Sequence, residues 1–151
     1  MPDLFHQFIA DLELIQGQAI TLSSENCFAY LFEGHFAVES TLSDDGRYLV
    51  TDVWVAQTND LPAGQHELLL ALLLELNGYA ALMHDATFSL DAESRIVLSL
   101  AQPLAQLEVD HYLAALHRML EQTRQMRQII LTIYPVVTIR EEASPLSPDR
   151  R

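Results

Sequence analysis

The spacing of apolar residues divides most of the chain into helical and extended segments. From Leu4 to Ile15 apolar side chains recur every three to four positions, and Asp3 stands where such a helix would be capped. This pattern predicts an opening helix over residues 3–15 that Gly17 ends.

A second amphipathic pattern near the end of the chain predicts a longer helix over residues 107–131. Its positive charges increase toward the C-terminal end, where the helix dipole favours them. We expect the three arginines Arg118, Arg124 and Arg127 to face away from the apolar side or to flank it.

Extended runs separated by turn-type residues fill most of the remaining chain. Strands in runs, with helices between the runs, are typical of an α+β fold in which helices pack on an antiparallel sheet. The predicted order is α-β-β-β-α-β-β-α, and residues 19–22 are a candidate for one more short strand. The predicted strands are 27–33, 36–42, 48–56, 87–90 and 95–100.

The predicted middle helix, over residues 65–83, is apolar on every side. Seven leucines lie between Leu68 and Leu76, and Glu67, Glu75 and Asn77 interrupt them. In a small domain the sheet covers one side of such a helix, so the other side needs a second cover. We therefore expect a homodimer through this helix. The candidate interface residues are Leu69, Leu72, Leu73, Leu76 and Tyr79.

Length and composition indicate a single domain. The chain has 151 residues, half of them apolar, which suffices for one core. We assign residues 1–134 to this domain. Residues 135–151 contain three prolines and no periodicity, and we expect them to form a flexible tail.

The charge balance argues against two classes of partner. Twenty-one acids face eight arginines, the chain has no lysine, and the formal net charge is −13. Nucleic acids and anionic membranes both favour basic surfaces, so we expect neither as a partner. Residues 1–94 carry fifteen of the acids and one arginine, while residues 95–151 carry six acids and seven arginines. We expect an acidic surface on the first part of the fold.

The sequence carries little sign of catalytic chemistry. Its six histidines lack the spacing of metal ligands, and it has no phosphate-binding glycine loop and no nucleophile elbow. The single cysteine, Cys27, lies in an apolar strand pattern, where a buried inert thiol is expected. We therefore predict no catalytic residue, no metal ligand and no cofactor. The absence of a signal-peptide pattern and of a bilayer-long apolar run suits a cytoplasmic protein without membrane insertion.

Several motifs together resemble the class I chaperones of bacterial type III secretion systems. The opening Leu4-Phe5-His-Gln-Phe8-Ile9 is followed by the strand meander and then by Glu67-Leu-Leu-Leu-Ala-Leu-Leu-Leu-Glu-Leu-Asn77. Phe88-Ser-Leu-Asp91, Ile96-Val-Leu-Ser-Leu100 and the closing amphipathic helix complete the pattern. The leucine-rich run that ends in Asn77, with Phe88-x-Leu-Asp91 after it, is the most specific part.

The resemblance implies a bacterial cytoplasmic homodimer that escorts a secreted effector. Such a chaperone binds the unfolded N-terminal segment of its effector in extended form, through apolar patches and an added edge strand, and needs no nucleotide. It implies partner-binding roles for residues of the first helix and the sheet. They are Leu4, Phe5, Phe8, Leu12, Phe28, Tyr30, Phe32, Phe36 and Val38.

Two alternatives stay open at this point. The chain could be a family member that binds another secretion regulator instead of an exported effector. In a different class, it could be a small α+β enzyme or ligand-binding domain with a cleft. The concentration of acid in the elements assigned to binding favours a partner segment that is apolar, extended and not itself strongly acidic.

Overall fold

The computed structural model describes residues 3–33, 36–58, 63–79 and 83–133. In these residues the helices flank an antiparallel sheet, which confirms the predicted α+β class, and residues 21–24 form the additional strand. The predicted tail, 135–151, lies outside the described residues. The elements are α1 (Leu4–Gln16), β1 (Thr21–Ser24), β2 (Cys27–Phe32), β3 (Phe36–Leu42), β4 (Tyr48–Gln57), α2 (Ala63–Asn77), β5 (Thr87–Leu90), β6 (Arg95–Pro103) and α3 (Val109–Ile133).

The six strands found in the described residues follow the order β1-β2-β3-β4-β6-β5, and every neighbouring pair is antiparallel. After α2 the chain returns so that β6 pairs with β4, and β5 becomes the outermost strand. One register row crosses five strands and is buried throughout, which places the core on that face of the sheet. The row consists of Tyr30, Val38, Val53, Leu98 and Phe88.

Local capping fixes the ends of α1. The Asp3 side chain accepts a hydrogen bond from the backbone N–H of His6, and Gly17 closes the helix with φ at +70°, in the left-handed region that favours glycine. The buried face of the helix carries Phe5, Phe8, Ile9 and Leu12.

A chain of buried hydroxyl groups joins α3 to the sheet. The Tyr112 hydroxyl lies 2.8 Å from the Tyr30 hydroxyl and 2.9 Å from Ser40 Oγ, which in turn lies 2.9 Å from Thr51 Oγ1. Burial raises the pKa of both tyrosines. Because each hydroxyl has a partner, the network crosses the core without an unsatisfied polar group.

Arg127 was expected to face away from the apolar side of the helix or to flank it, and the structure corrects this expectation, because the residue is buried, with 5% of its surface exposed. The guanidinium donates to the carbonyl oxygens of Val55 at 2.9 Å and Trp54 at 2.7 Å, and it lies 5.1 Å from the centre of the Phe36 ring. The register of β4 against β6 shifts between Trp54 and Ala56, so the arginine bonds the carbonyls beside this irregularity. Arg124, in contrast, is exposed.

Helix α2 is shorter than the sequence pattern predicts and ends at Asn77. The Asn77 side chain points toward the sheet, where its amide bonds to the backbone of Phe88. The continuing apolar run of the sequence therefore does not extend the helix to residue 83.

Candidate partner-binding surfaces

The nine residues that the resemblance implies for partner binding do not all lie at the surface. Leu4 is 53% exposed, whereas the other eight are buried inside the single chain. They form part of the core between α1, α3 and the sheet. The structure therefore brings these residues together, but mainly as packing, and the partner-binding role of the set stays a prediction.

A groove of about 420 Å³ runs between α1 and the segment before and at the start of α3. Of the predicted residues, Leu4 and Phe8 line this groove. Its outer wall carries Leu14 and Ile15, whose exposed fractions are 82% and 55%. The residues suggested by the sequence did not include Leu14, because Leu14 lies outside the apolar stripe of α1. A leucine outside that stripe is the sequence feature that could have indicated an exposed apolar residue here.

The rim of this groove is acidic. Asp11 contributes from α1, and Glu108 and Asp110 contribute from the opposite wall. An apolar floor with carboxylates around it suits an apolar segment that carries basic residues at its margins. Asp11 belongs to the acidic first part of the chain, whereas Glu108 and Asp110 belong to the second part.

The edge of the sheet at β1 is exposed along its whole length. All four residues of β1 are exposed, and the strand pairs on one side only, with β2. The backbone of Ile20, just before the strand, donates to the Glu13 carboxylate at 2.7 Å. This bond attaches the start of β1 to α1, so the edge and the α1 groove belong to the same end of the sheet.

Helix α2 divides the predicted dimer residues between two environments. Leu69 and Leu73 are 1% and 3% exposed and pack in the core of their own chain, while Leu72 and Leu76 are half-buried. Tyr79, which follows the helix, is 55% exposed. The dimer role of these residues stays a prediction.

Other residues of α2 form its exposed apolar side, which we call the outer face of α2. Leu68 and Leu74 are 65% and 71% exposed, and the exposed Ala71 lies between them at a spacing of three residues. The sequence identified the apolar excess of this helix, and Leu68 and Leu74 were not among the interface residues that it suggested. A helix without a polar side offers no signal for which side is covered.

The face of the sheet opposite the core, which we call the open face, carries a row of polar residues. Glu39 lies directly across from Asp52, and Asp52 accepts a hydrogen bond from Ser99. Desolvation, followed by the charge of Asp52, raises the pKa of Glu39, and desolvation also raises the pKa of Asp52. Two like charges side by side disfavour ionisation of both carboxyl groups.

Arg95 occupies the neighbouring part of the open face. Its Nε donates to Asp91 at 2.6 Å, and its guanidinium lies 5.0 Å from the centre of the Trp54 ring. Asp91 also accepts from the backbone N–H groups of Glu93 and Arg95, each at 2.9 Å. The acid that ends the Phe88-x-Leu-Asp91 motif therefore organises the turn between β5 and β6.

Comparison with known protein families identifies the group to which this arrangement belongs. The model of the Tir chaperone protein (CesT) family matches residues 6–127. The chain belongs to this family. The match covers all the elements from α1 to most of α3, and it confirms the resemblance found from the sequence motifs. No curated protein matches the chain.

Solved structures with the same fold come from complexes. The ExsC–ExsE complex matches with a TM-score of 0.71 at 20% identity, over 85% of this chain and 96% of that chain. The HopA1–SchA chaperone–effector complex matches with a TM-score of 0.65 at 16% identity, over 83% and 94%. The Yersinia pestis type III secretion chaperone SycH, in complex with a stable fragment of YscM2, matches with a TM-score of 0.62 at 13% identity, over 80% and 98%. At these identities the likeness shows the fold.

As a member of the Tir chaperone protein family, the chain falls in a chaperone class and not in an enzyme class. Across residues 3–33, 36–58, 63–79 and 83–133, no helix has the length and apolarity to cross a membrane.

Proposed function

We propose that this protein is a cytoplasmic type III secretion chaperone, which binds the extended N-terminal segment of a secreted effector and keeps that segment soluble and competent for secretion. The observation that carries the proposal is the exposed apolar groove beside α1, in a chain that belongs to the Tir chaperone protein family. Exposed leucines such as Leu14 are costly to leave in water, and an apolar partner segment would cover them.

The proposed binding mode combines side-chain and backbone contacts. Apolar side chains of the partner enter the groove and contact Leu4, Leu14 and Ile15, and its backbone pairs with the exposed edge of β1. Phe8 contributes to the floor of the groove. The other residues of the predicted set act from behind this surface, since they hold α1 against the sheet. They are Phe5, Leu12, Phe28, Tyr30, Phe32, Phe36 and Val38.

The homodimer is the second part of the proposal. The exposed leucines of the outer face of α2, together with Tyr79 and the half-buried Leu72, provide apolar surface for a second copy. Leu69, Leu73 and Leu76 would support this interface by holding α2 in place. Acidic neighbours such as Glu67 and Glu75 would keep the free surface soluble.

Two matched substitutions separate the two surfaces. Leu14→Asp places a charge in the α1 groove, and Leu74→Asp places a charge on the outer face of α2. Because both leucines are well exposed, both variants should fold. We expect Leu14→Asp to abolish capture of the secreted partner while the chain remains dimeric. We expect Leu74→Asp to yield monomers in sedimentation.

The partner is identified by affinity capture from the native cell, followed by mass spectrometry. A partner that is recovered with the wild-type chain and lost with Leu14→Asp supports the proposal, provided that the partner is exported. Recovery of a regulator that is not exported would favour the regulatory alternative. Equal recovery of the effector with both forms would contradict the groove as its binding site.

A further inference from the structure

The two ends of the sheet differ in how their backbone groups are used. β1 is exposed along its length, whereas β5, the opposite edge, is contacted by the end of α2. Asn77, the last residue of α2, donates its side-chain N–H to the carbonyl oxygen of Phe88 at 2.8 Å. The same side chain accepts a hydrogen bond from the backbone N–H of Phe88 at 2.7 Å. One amide therefore satisfies both backbone groups of one strand residue.

These two bonds have the pattern that a neighbouring strand would make. Along an antiparallel strand, backbone groups point alternately toward one neighbour and toward the other. Asp91, just after β5, donates its N–H to Arg95, so the odd-numbered residues of this segment point toward β6. Phe88 and Leu90 therefore point outward, and Asn77 occupies the outward groups of Phe88.

The strand offers few other groups for pairing. β5 has four residues, Thr87–Leu90, so Leu90 at its end is the second residue of the strand with outward backbone groups. Pairing with another strand needs successive residues whose backbone groups point outward. Asn77 already occupies the outward groups of Phe88, so of the two outward residues only Leu90 remains for such pairing. The leucine-rich run and the Phe88-x-Leu-Asp91 motif thus meet at this contact.

We infer that Asn77 is an edge-closing residue, which blocks strand addition at β5 and leaves β1 as the edge of this sheet that accepts another strand. A chain with two open edges pairs its β1 with the β5 of the next copy, and this head-to-tail contact does not close on itself. Closing β5 prevents such open-ended assembly while β1 stays exposed. The inference concerns free chaperone chains and does not depend on which partner binds.

Amide hydrogen exchange and sedimentation test the inference on the full chain. In the wild type we expect the Phe88 amide to exchange slowly and the outward Leu90 amide to exchange fast. Asn77→Ala should accelerate exchange at Phe88 by about five- to thirteenfold, since it removes a hydrogen bond worth about 1–1.5 kcal/mol. It should also produce species larger than the wild type, whose size grows with concentration. Ser89→Ala, an exposed position on the same strand, is the matched control and should change neither measurement.

A second change identifies the surface through which the larger species form. Leu22→Pro disrupts pairing at β1, because proline is poorly tolerated in a strand ladder. The double variant Asn77→Ala with Leu22→Pro should therefore return to the size of the wild type. Larger species that persist in the double variant would overturn the inference. Unchanged size and unchanged Phe88 exchange in Asn77→Ala would overturn it as well.

Asn77→Asp provides the test if Asn77→Ala does not fold. Aspartate keeps the acceptor for the Phe88 N–H but lacks the donor for the Phe88 carbonyl. We expect a protected Phe88 amide together with larger species that Leu22→Pro reverses. A folded Asn77→Asp variant of wild-type size at every concentration would contradict the edge-closing role.

Discussion

Helices α3 and α2 are both rich in apolar residues, yet the fold uses them in opposite ways. In α3, Tyr112, Leu116, Leu120 and Ile130 are each at most 1% exposed, so the apolar side of this helix is absorbed by its own chain. In α2, Leu69 and Leu73 are buried, while the outer face leaves two leucines more than 60% exposed.

The difference follows from where each helix contacts the sheet. α3 contacts β4, near the middle of the sheet, and also α1, so its apolar side meets neighbours on several sides. α2 contacts β5 at the outer edge, where the sheet ends. Helix α3 is therefore a stabilising element, and α2 retains apolar surface that is available for assembly.

The largest expected effect contrasts one leucine from each helix. Leu120→Ala removes a fully buried side chain from α3 and should lower the free energy of unfolding by about 2–5 kcal/mol. Leu74→Ala, on the outer face of α2, should change the intrinsic stability of the chain by no more than about 0.5 kcal/mol. Urea unfolding at several protein concentrations measures both values and separates intrinsic stability from any contribution of association. Equal losses at low concentration would remove the distinction between the helices.

The next effect concerns the charged contact between α3 and β4. Arg127→Met keeps an apolar stem but leaves the Trp54 and Val55 carbonyls without these bonds, at a cost of about 1.5–3 kcal/mol. Arg124→Met, three residues earlier and exposed, is the control and should cost less than about 1 kcal/mol. Thermal unfolding of the two variants compares them directly. A larger loss for Arg124→Met would mean that the surface ion pair with Glu33 matters more than the buried contact.

A smaller loss is expected from the buried hydroxyl network. Tyr112→Phe removes the central hydroxyl and leaves Tyr30 and Ser40 each with one partner fewer, at a cost of about 1–2 kcal/mol. Tyr48→Phe, at a tyrosine that is 43% exposed, should be close to neutral. Chemical denaturation with tyrosine fluorescence checks the pair. A neutral Tyr112→Phe would indicate that packing alone joins α3 to the sheet.

The smallest effect has the opposite sign and lies on the open face of the sheet. The fold raises the pKa of Glu39 above its value in the unfolded chain. The stability that the protonated carboxyl contributes is therefore fully present below the unfolded pKa, and it is lost as the pH rises through the folded pKa. At pH 7, Glu39→Gln should therefore stabilise the chain, by about 0.2–1 kcal/mol, the range of cross-strand pairs.

The pH dependence distinguishes this charge effect from a change in packing. Below about pH 4 the wild-type carboxyl is mostly protonated, so the advantage of Glu39→Gln should disappear. Asp44→Asn, in the exposed turn before β4, is the control. Thermal unfolding at pH 7 and at pH 4 gives the comparison, and an advantage that persists at pH 4 would contradict the electrostatic cause.

The periodic segments were predictable because their signals are local. The capped α1, the strands and the amphipathic α3 each repeat their apolar residues at the period of the element that they form. Arg127 was not predictable in this way, because an arginine beside an apolar stripe reads as exposed unless distant carbonyls are known to meet it. The end of α2 was missed for a related reason, since Phe88, the partner of Asn77, lies eleven residues further along the chain, in strand β5.

For the candidate surfaces, too, local features were predictable from the sequence and long-range contacts were not. The sequence indicated that the leucine-rich helix carries more apolar surface than a small domain can cover, and its motifs indicated the chaperone family. It placed Phe5 and Leu12 in the apolar stripe of α1 but did not show that the fold buries both of them and leaves Leu4 and Ile15, in the same stripe, exposed. Solvent exposure depends on which neighbours the rest of the chain supplies.

By itself, then, the sequence determined the α+β class, the main elements, the acidic character and the family, all of which depend on composition, local periodicity and motifs. Only the tertiary structure decided which side of α2 is free, which groove lies beside α1, and which edge of the sheet is closed. Those features depend on long-range pairing, which placed β6 beside β4 and β5 at the edge. Apolar periodicity predicts that a side chain will be covered, and the fold decides whether the cover comes from its own chain or from another.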